Sequence, residues 1–81
     1  EEYPNSVNIF PNPVDDHMTI EFQNSANNTK IEITDINGRI IKSVKNFGDS
    51  ISIDMKEEHS GVYFVNIHQE NSNTRKIILK N

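Results

Sequence analysis

Residues 33–41 read ITDINGRII. Two β-branched runs flank Asn37-Gly38, and both of those residues tolerate the positive φ of a tight hairpin turn. The spacing predicts a two-residue type I′ turn joining two antiparallel strands. On the upstream side, Lys30, Glu32 and Thr34 alternate with Ile31 and Ile33, so that strand turns one face to water and the other to a core. On the downstream side, RIIKSVK has no single phase. Ile40 and Val44 share one face and Ile41 points to the other, which a β-bulge would reconcile.

The same period of two runs through the rest of the chain. Val7 and Ile9 alternate, then Met18, Ile20 and Phe22, then Ile51, Ile53 and Met55, then Tyr63, Val65 and Ile67, and Ile77 and Leu79 close the chain. Turn-forming stretches separate the runs: PNPVDD, NSANN, DING, NFGD, EEHSG and ENSN. No window of helical length carries an i, i+3, i+4, i+7 apolar stripe, and DMKEEHSG offers at most one helical turn. About seven short strands at this spacing read as an all-β sandwich.

The stretch IFPNPVDDHMTIEF, residues 9–22, places a stiff break after the first strand. Proline pushes the residue before it out of the α region, fixes its own φ and supplies no N–H. Pro11-Asn12-Pro13 is therefore expected to be extended, to lie outside the middle of a sheet, and to carry the chain from one sheet to the other. Asp15 and Asp16 then suit the turn into the next strand, since short acceptor side chains bond nearby backbone N–H groups.

Eighty-one residues make one domain, and with 33% hydrophobic residues its core is thin. A net charge of -4 and the lack of a basic stripe argue against a nucleic-acid partner. No stretch is apolar and long enough for direct membrane insertion. The absence of cysteine removes disulfides and thiolate metal sites from consideration. The opening EEYPNS, without an initiator methionine, reads as the end of a linker cut from something longer.

Candidate chemistry is sparse. Asp15, Asp16 and His17 are the most site-like cluster, but contiguous residues on an extended chain point to opposite faces, so turn residues are the stronger reading and no metal site is expected. Asp35, Asn37 and Gly38 echo the start of a calcium loop without its remaining acidic ligands. His59-Ser60 near Asp54 carries no triad geometry, His68 is out of phase with the core, and Glu57-Glu58 falls on a loop. With three glycines there is no phosphate-binding loop. No catalytic or cofactor-binding residue emerges. A carbohydrate-binding or adhesive module of a larger secreted enzyme is the generic alternative. The absence of Trp weighs against it, while Phe10, Phe47 and Phe64 remain unassigned to the core.

Three stretches in order, IFPNPVDDHMTIEF, IEITDINGRIIKSV and HSGVYFVNIHQENSNTRKIILK, closely resemble the type A C-terminal sorting domain of the type IX secretion system. The resemblance covers residues 7–81. It rests on Pro11, Asn12 and Pro13, on Asp35, Gly38 and Arg39, on Gly61 and Tyr63, and on Lys76 and Lys80, and is weakest at the end, where Asn81 follows the last lysine.

The resemblance implies a small immunoglobulin-like β-sandwich of mainly antiparallel strands with no catalysis of its own. It implies that residues 1–6 end a linker from a cargo domain and that residues 7–81 are the sorting domain. It further implies export to the periplasm, recognition by an outer-membrane translocon and its shuttle component, removal by a sortase-like peptidase, and delivery of the cargo to the cell surface or medium. No cofactor is implied.

Within that frame Gly38 supplies positive φ, Gly61 admits a tight strand entry, and Tyr63 is a core residue with its hydroxyl near the rim. Lys76, Ile78 and Lys80 share one face of the last strand and are the candidate recognition strip. Two readings stand for it: docking, by charge or by adding a strand to a partner, and protection of an edge strand from aggregation.

Overall fold

In the computed structural model, residues 7–22, 29–46, 48–69 and 72–81 are described. They form seven strands: β1 Val7–Phe10, β2 His17–Phe22, β3 Thr29–Thr34, β4 Ile40–Asn46, β5 Ser50–Asp54, β6 Gly61–Gln69 and β7 Ser72–Lys80. One sheet has the order β1-β2-β5, and the other has the order β4-β3-β6-β7. Every strand pairing is antiparallel. The expected all-β sandwich is what the chain forms.

The alternation sets the registers. In the three-stranded sheet Val7 faces Phe22, Ile9 faces Ile20, Ile20 faces Ile51 and Met18 faces Ile53. In the four-stranded sheet Ile31 lies between Val44 and Ile67, Ile33 faces Val65, and Tyr63 faces Ile78. A one-residue slip would turn each of these sets to water, so burial of one face specifies the pairing. The two inner faces meet in a single core of Val7, Val14, Met18, Ile20, Phe22, Ile31, Ile33, Ile53, Met55, Tyr63, Val65, Ile67 and Ile78. Each large aliphatic side chain buried there contributes about 1.5–3 kcal/mol.

Four expectations are corrected. The Pro-Asn-Pro stretch does not carry the chain between sheets, because β1 and β2 are neighbours in the same sheet. The chain changes sheet between β2 and β3, between β4 and β5, and between β5 and β6. Nor is the stretch a straight rod: the backbone bends at Pro11, Asn12 and Pro13. The Phe10–Pro11 and Asn12–Pro13 peptide bonds are cis.

The β3–β4 connection is longer than the predicted two-residue turn. The Asp35 N–H donates to the Arg39 carbonyl at 3.0 Å, and the Gly38 N–H donates to the Asp35 carbonyl at 3.0 Å. The turn is thus centred on Ile36 and Asn37, and Gly38, at φ +84°, follows it to restore the strand twist.

The bulge expected in RIIKSVK is present: Ile33 pairs with Lys42 and Thr34 with Ile40, which leaves Ile41 as the extra residue. Its effect on facing differs from expectation. Ile41 and Val44 pack against the core, while Ile40 is exposed.

The last strand is out of the expected phase. Ile77 and Leu79 face solvent, and Ile78 between them fills the core.

Candidate functional site

The last strand and the loop before β2 form one unit. Pro11 and Pro13 have no N–H to offer, so the loop bonds through its other groups. The Asn12 side-chain oxygen accepts the Leu79 N–H at 3.0 Å. The Val14 N–H donates to the Leu79 carbonyl at 2.7 Å, and the Asn81 N–H donates to the Val14 carbonyl at 2.9 Å. Val14 thereby forms a parallel bridge with Lys80, and its side chain is fully buried. Asp15 does more than turn a corner, since its carboxylate accepts the Asn81 side-chain amide at 2.8 Å. The loop between two strands of one sheet thus seals the end of the edge strand of the other.

This role of Asn12, Val14, Asp15, Leu79 and Asn81 was not read from the sequence. The one signal available was Val14 itself, an apolar residue inside a polar, turn-forming run.

Asp35 organises the β3–β4 hairpin. Its carboxylate accepts the Asn37 N–H at 2.9 Å, the Arg39 N–H at 3.0 Å and the Arg39 Nε–H at 3.1 Å. The Arg39 backbone N–H, above all, holds the carboxyl below its usual range, and the guanidinium adds to the effect. The resemblance to a calcium loop dissolves here, because the ligand-like oxygens already serve the turn.

Gly61 opens β6 at φ +146°, with open space where a Cβ would be. Its requirement is conformational, with no crowding to relieve. Tyr63 is buried as expected, and its hydroxyl donates to the His59 carbonyl at 2.7 Å, which pins the β5–β6 connection. Burial, and secondarily the charges of Glu58 and Asp35, raise the Tyr63 pKa.

The strip of Lys76, Ile78 and Lys80 is not an exposed surface. All three share the inner face, where Ile78 is 1% exposed and Lys80 only 8%. The Lys80 ammonium donates to the Asn81 carbonyl at 2.8 Å. Only Lys76, opposite Val65, remains exposed. The physical reason is period two: residues that flank Ile78 by two positions must follow it inward.

The outer face of β7 shows Arg75, Ile77 and Leu79 instead. Ile77 is 63% exposed opposite Phe64, and Leu79 is 44% exposed opposite Val62. The Arg75 guanidinium lies 5.0 Å from the centre of the Phe64 ring, and its Nε donates to the Asn66 side-chain oxygen at 2.9 Å.

The polar clusters disperse. Asp15 reaches Asn81, the Asp16 carbonyl accepts the Met55 N–H at 2.7 Å, and His17 stands 4.0 Å from Asp54. Asp54 accepts the Lys56 N–H at 2.8 Å, which leaves it in a turn and out of any triad. His68, half exposed on the outer face, sits between Glu32 at 3.3 Å and Asn73 at 2.9 Å. Among the described residues no group of three acids or histidines is placed to hold a metal. Phe10 and Phe64 lie on different sheets, so they form no common aromatic platform, and Phe47 lies outside the described residues.

The family model described as the secretion system C-terminal sorting domain matches residues 8–80, nearly the whole sandwich. The chain belongs to this family of type IX secretion sorting domains. No curated protein sequence matches it. A similar solved structure is that of PorZ, described as an essential bacterial surface component of the type-IX secretion system of Porphyromonas gingivalis. It superposes with a TM-score of 0.78 at 20% identity, over 93% of the sorting domain and 11% of the PorZ chain. At that identity the likeness is one of fold. The sorting domain spans only a small fraction of PorZ's length. Its family role is to direct an attached protein out to the cell surface or the extracellular space through the type IX system.

Proposed function

We infer that this domain works as a folded address, recognised in the periplasm by the outer-membrane translocon and its shuttle component, and performs no catalysis itself. A sortase-like surface peptidase then removes it from the cargo. In this reading residues 1–6, outside the described part, end the linker to the cargo, and residues 7–81 are the signal.

The observation that carries the reading is the family match over residues 8–80, which reaches all seven strands. The positions that the resemblance singled out support it as makers of the sandwich. Asn12 ties the loop to β7, Asp35, Gly38 and Arg39 build one turn, and Gly61 and Tyr63 start β6. Lys76 alone of the lysine strip is displayed for docking, so recognition by this strand falls on Lys76 and on the outward residues beside it.

The test is a reporter exported to the periplasm and fused to residues 1–81, in a host that has the type IX system. Surface delivery, with the reporter cut within or near residues 1–6, supports the reading. A folded, intact fusion held in the periplasm contradicts it.

A further inference from the structure

β7 is the edge of the four-stranded sheet, and among the described residues only its last ones are covered. The Leu79 N–H and C=O both point away from β6, toward Asn12 and Val14. Alternation along an antiparallel ladder then aims the N–H and C=O of Asn73, Arg75 and Ile77 to the same side. Among the described residues nothing pairs with them. An open row of this kind is a template for another strand.

The outer face beside that edge is apolar where a strand in water is expected to be polar. Ile40 opposite Thr34, and Val62 and Phe64 opposite Leu79 and Ile77, gather at one end of the sheet. Ile40, Val62, Ile77 and Leu79 are each at least 40% exposed. The edge is also basic: within a chain of net charge -4, β7 carries Arg75, Lys76 and Lys80 and no acid. Pairing of two β7 edges would set these cations near one another, and like charges placed opposite in a sheet are destabilising. The complement is a strand with apolar residues at one end and acidic residues at the other.

We propose that the free edge of β7 from Asn73 to Ile77 captures an extended segment of a partner protein as an eighth strand. That segment sets apolar side chains over Ile77 and Leu79 and carboxylates beside Arg75 and Lys76. The Val14–Lys80 bridge is a short intramolecular instance of the same pairing, and it fixes where the added strand must stop. Main-chain hydrogen bonds supply the affinity and the alternating side chains the selectivity. That the partner belongs to the export machinery rests on the sorting role; the chemistry of the edge does not.

The probe is a blocked seven-residue peptide in which valine alternates with threonine through one half and glutamate fills the other. It is titrated into the full chain and followed by amide chemical shifts. Shifts centred on Asn73, Arg75 and Ile77 are expected, with at least tenfold weaker binding to Ile77→Pro and to Arg75→Glu, and to a peptide with lysine in place of glutamate. Ile77→Pro deletes a donor that β6 does not use, and Arg75→Glu leaves the backbone intact, so either variant suffices if the other is misfolded. Both fusions, with wild-type melting temperatures, should also lose at least nine-tenths of surface delivery.

Unshifted edge amides, equal binding by Arg75→Glu, or self-association of the chain through this edge would each overturn the proposal. Undiminished delivery by a folded variant that no longer binds the peptide would overturn the edge's part in export. Peptide binding by a wild-type chain whose own fusion is not delivered would support the edge and overturn the sorting role.

Discussion

Leu79 donates its backbone N–H to the side chain of Asn12 at 3.0 Å, across 67 residues of sequence. This bond, with the Val14 bridge next to it, joins the two ends of the fold. Replacing Asn12 by Ala leaves the Leu79 N–H to water at a partly exposed site, where a lost hydrogen bond costs about 0.5–1.5 kcal/mol. Urea denaturation should show that loss for Asn12→Ala and a smaller one for Asn12→Asp, which keeps an acceptor.

Ile77 and Ile78 separate the two faces of β7 within two residues. Ile78→Ala opens a cavity in the core and should cost about 2–5 kcal/mol. Ile77→Ala changes an exposed position and should stay within about 0.5 kcal/mol of wild type. Equal losses for the two would mean that the phase of β7 is not the one described.

Gly38 and Gly61 should tolerate a side chain sterically and resist it conformationally. Gly38→Ala puts a Cβ at φ +84° and should cost about 1–2 kcal/mol. Gly61→Ala, at φ +146°, should cost on the order of 1–3 kcal/mol. Gly38→Asn should be milder than Gly38→Ala, because Asn accepts positive φ. Melting temperatures rank the three.

Acid should weaken the fold through three carboxylates. The Arg39 N–H lowers the pKa of Asp35, the Lys30 side chain that of Glu32, and the Lys56 N–H that of Asp54. A carboxyl whose folded pKa lies below its unfolded one stabilises the protein above the unfolded value and loses that stabilisation as pH falls through the folded value. Starting from ordinary values of 3.8 for Asp and 4.5 for Glu, melting temperature should fall as pH drops below that range. Asp35→Asn should flatten part of the fall. A wild-type melting temperature that does not change from about pH 5 to pH 2 would contradict the assignment.

Much of the sandwich was legible because period two is strict in β2, β3 and β5, where apolar and polar residues take turns. It failed in RKIILK, where three consecutive apolar residues give either phase and only the partner strand decides which faces in. It also misread the hairpin tip. Asn37-Gly38 suits a two-residue turn, but the Asp35 carboxylate bonds both Asn37 and Arg39 and stabilises a longer loop. The contact of Asn12 with Leu79 was beyond local rules altogether: a polar residue between prolines gives no sign of which distant N–H it will meet. The same holds for Lys80, whose burial follows from Ile78 and from the packing of Val14 across it.

Removing RKIILKN as a whole cannot separate recognition from folding, since it deletes Ile78 from the core and two thirds of β7. The most direct measurement is therefore the fraction of a periplasm-exported reporter that residues 1–81 bring to the surface, set beside the fusion carrying Ile78→Ala. The account predicts efficient delivery by the wild-type domain and a loss for Ile78→Ala in step with its loss of fold. Retention of a folded wild-type fusion in the periplasm would contradict it.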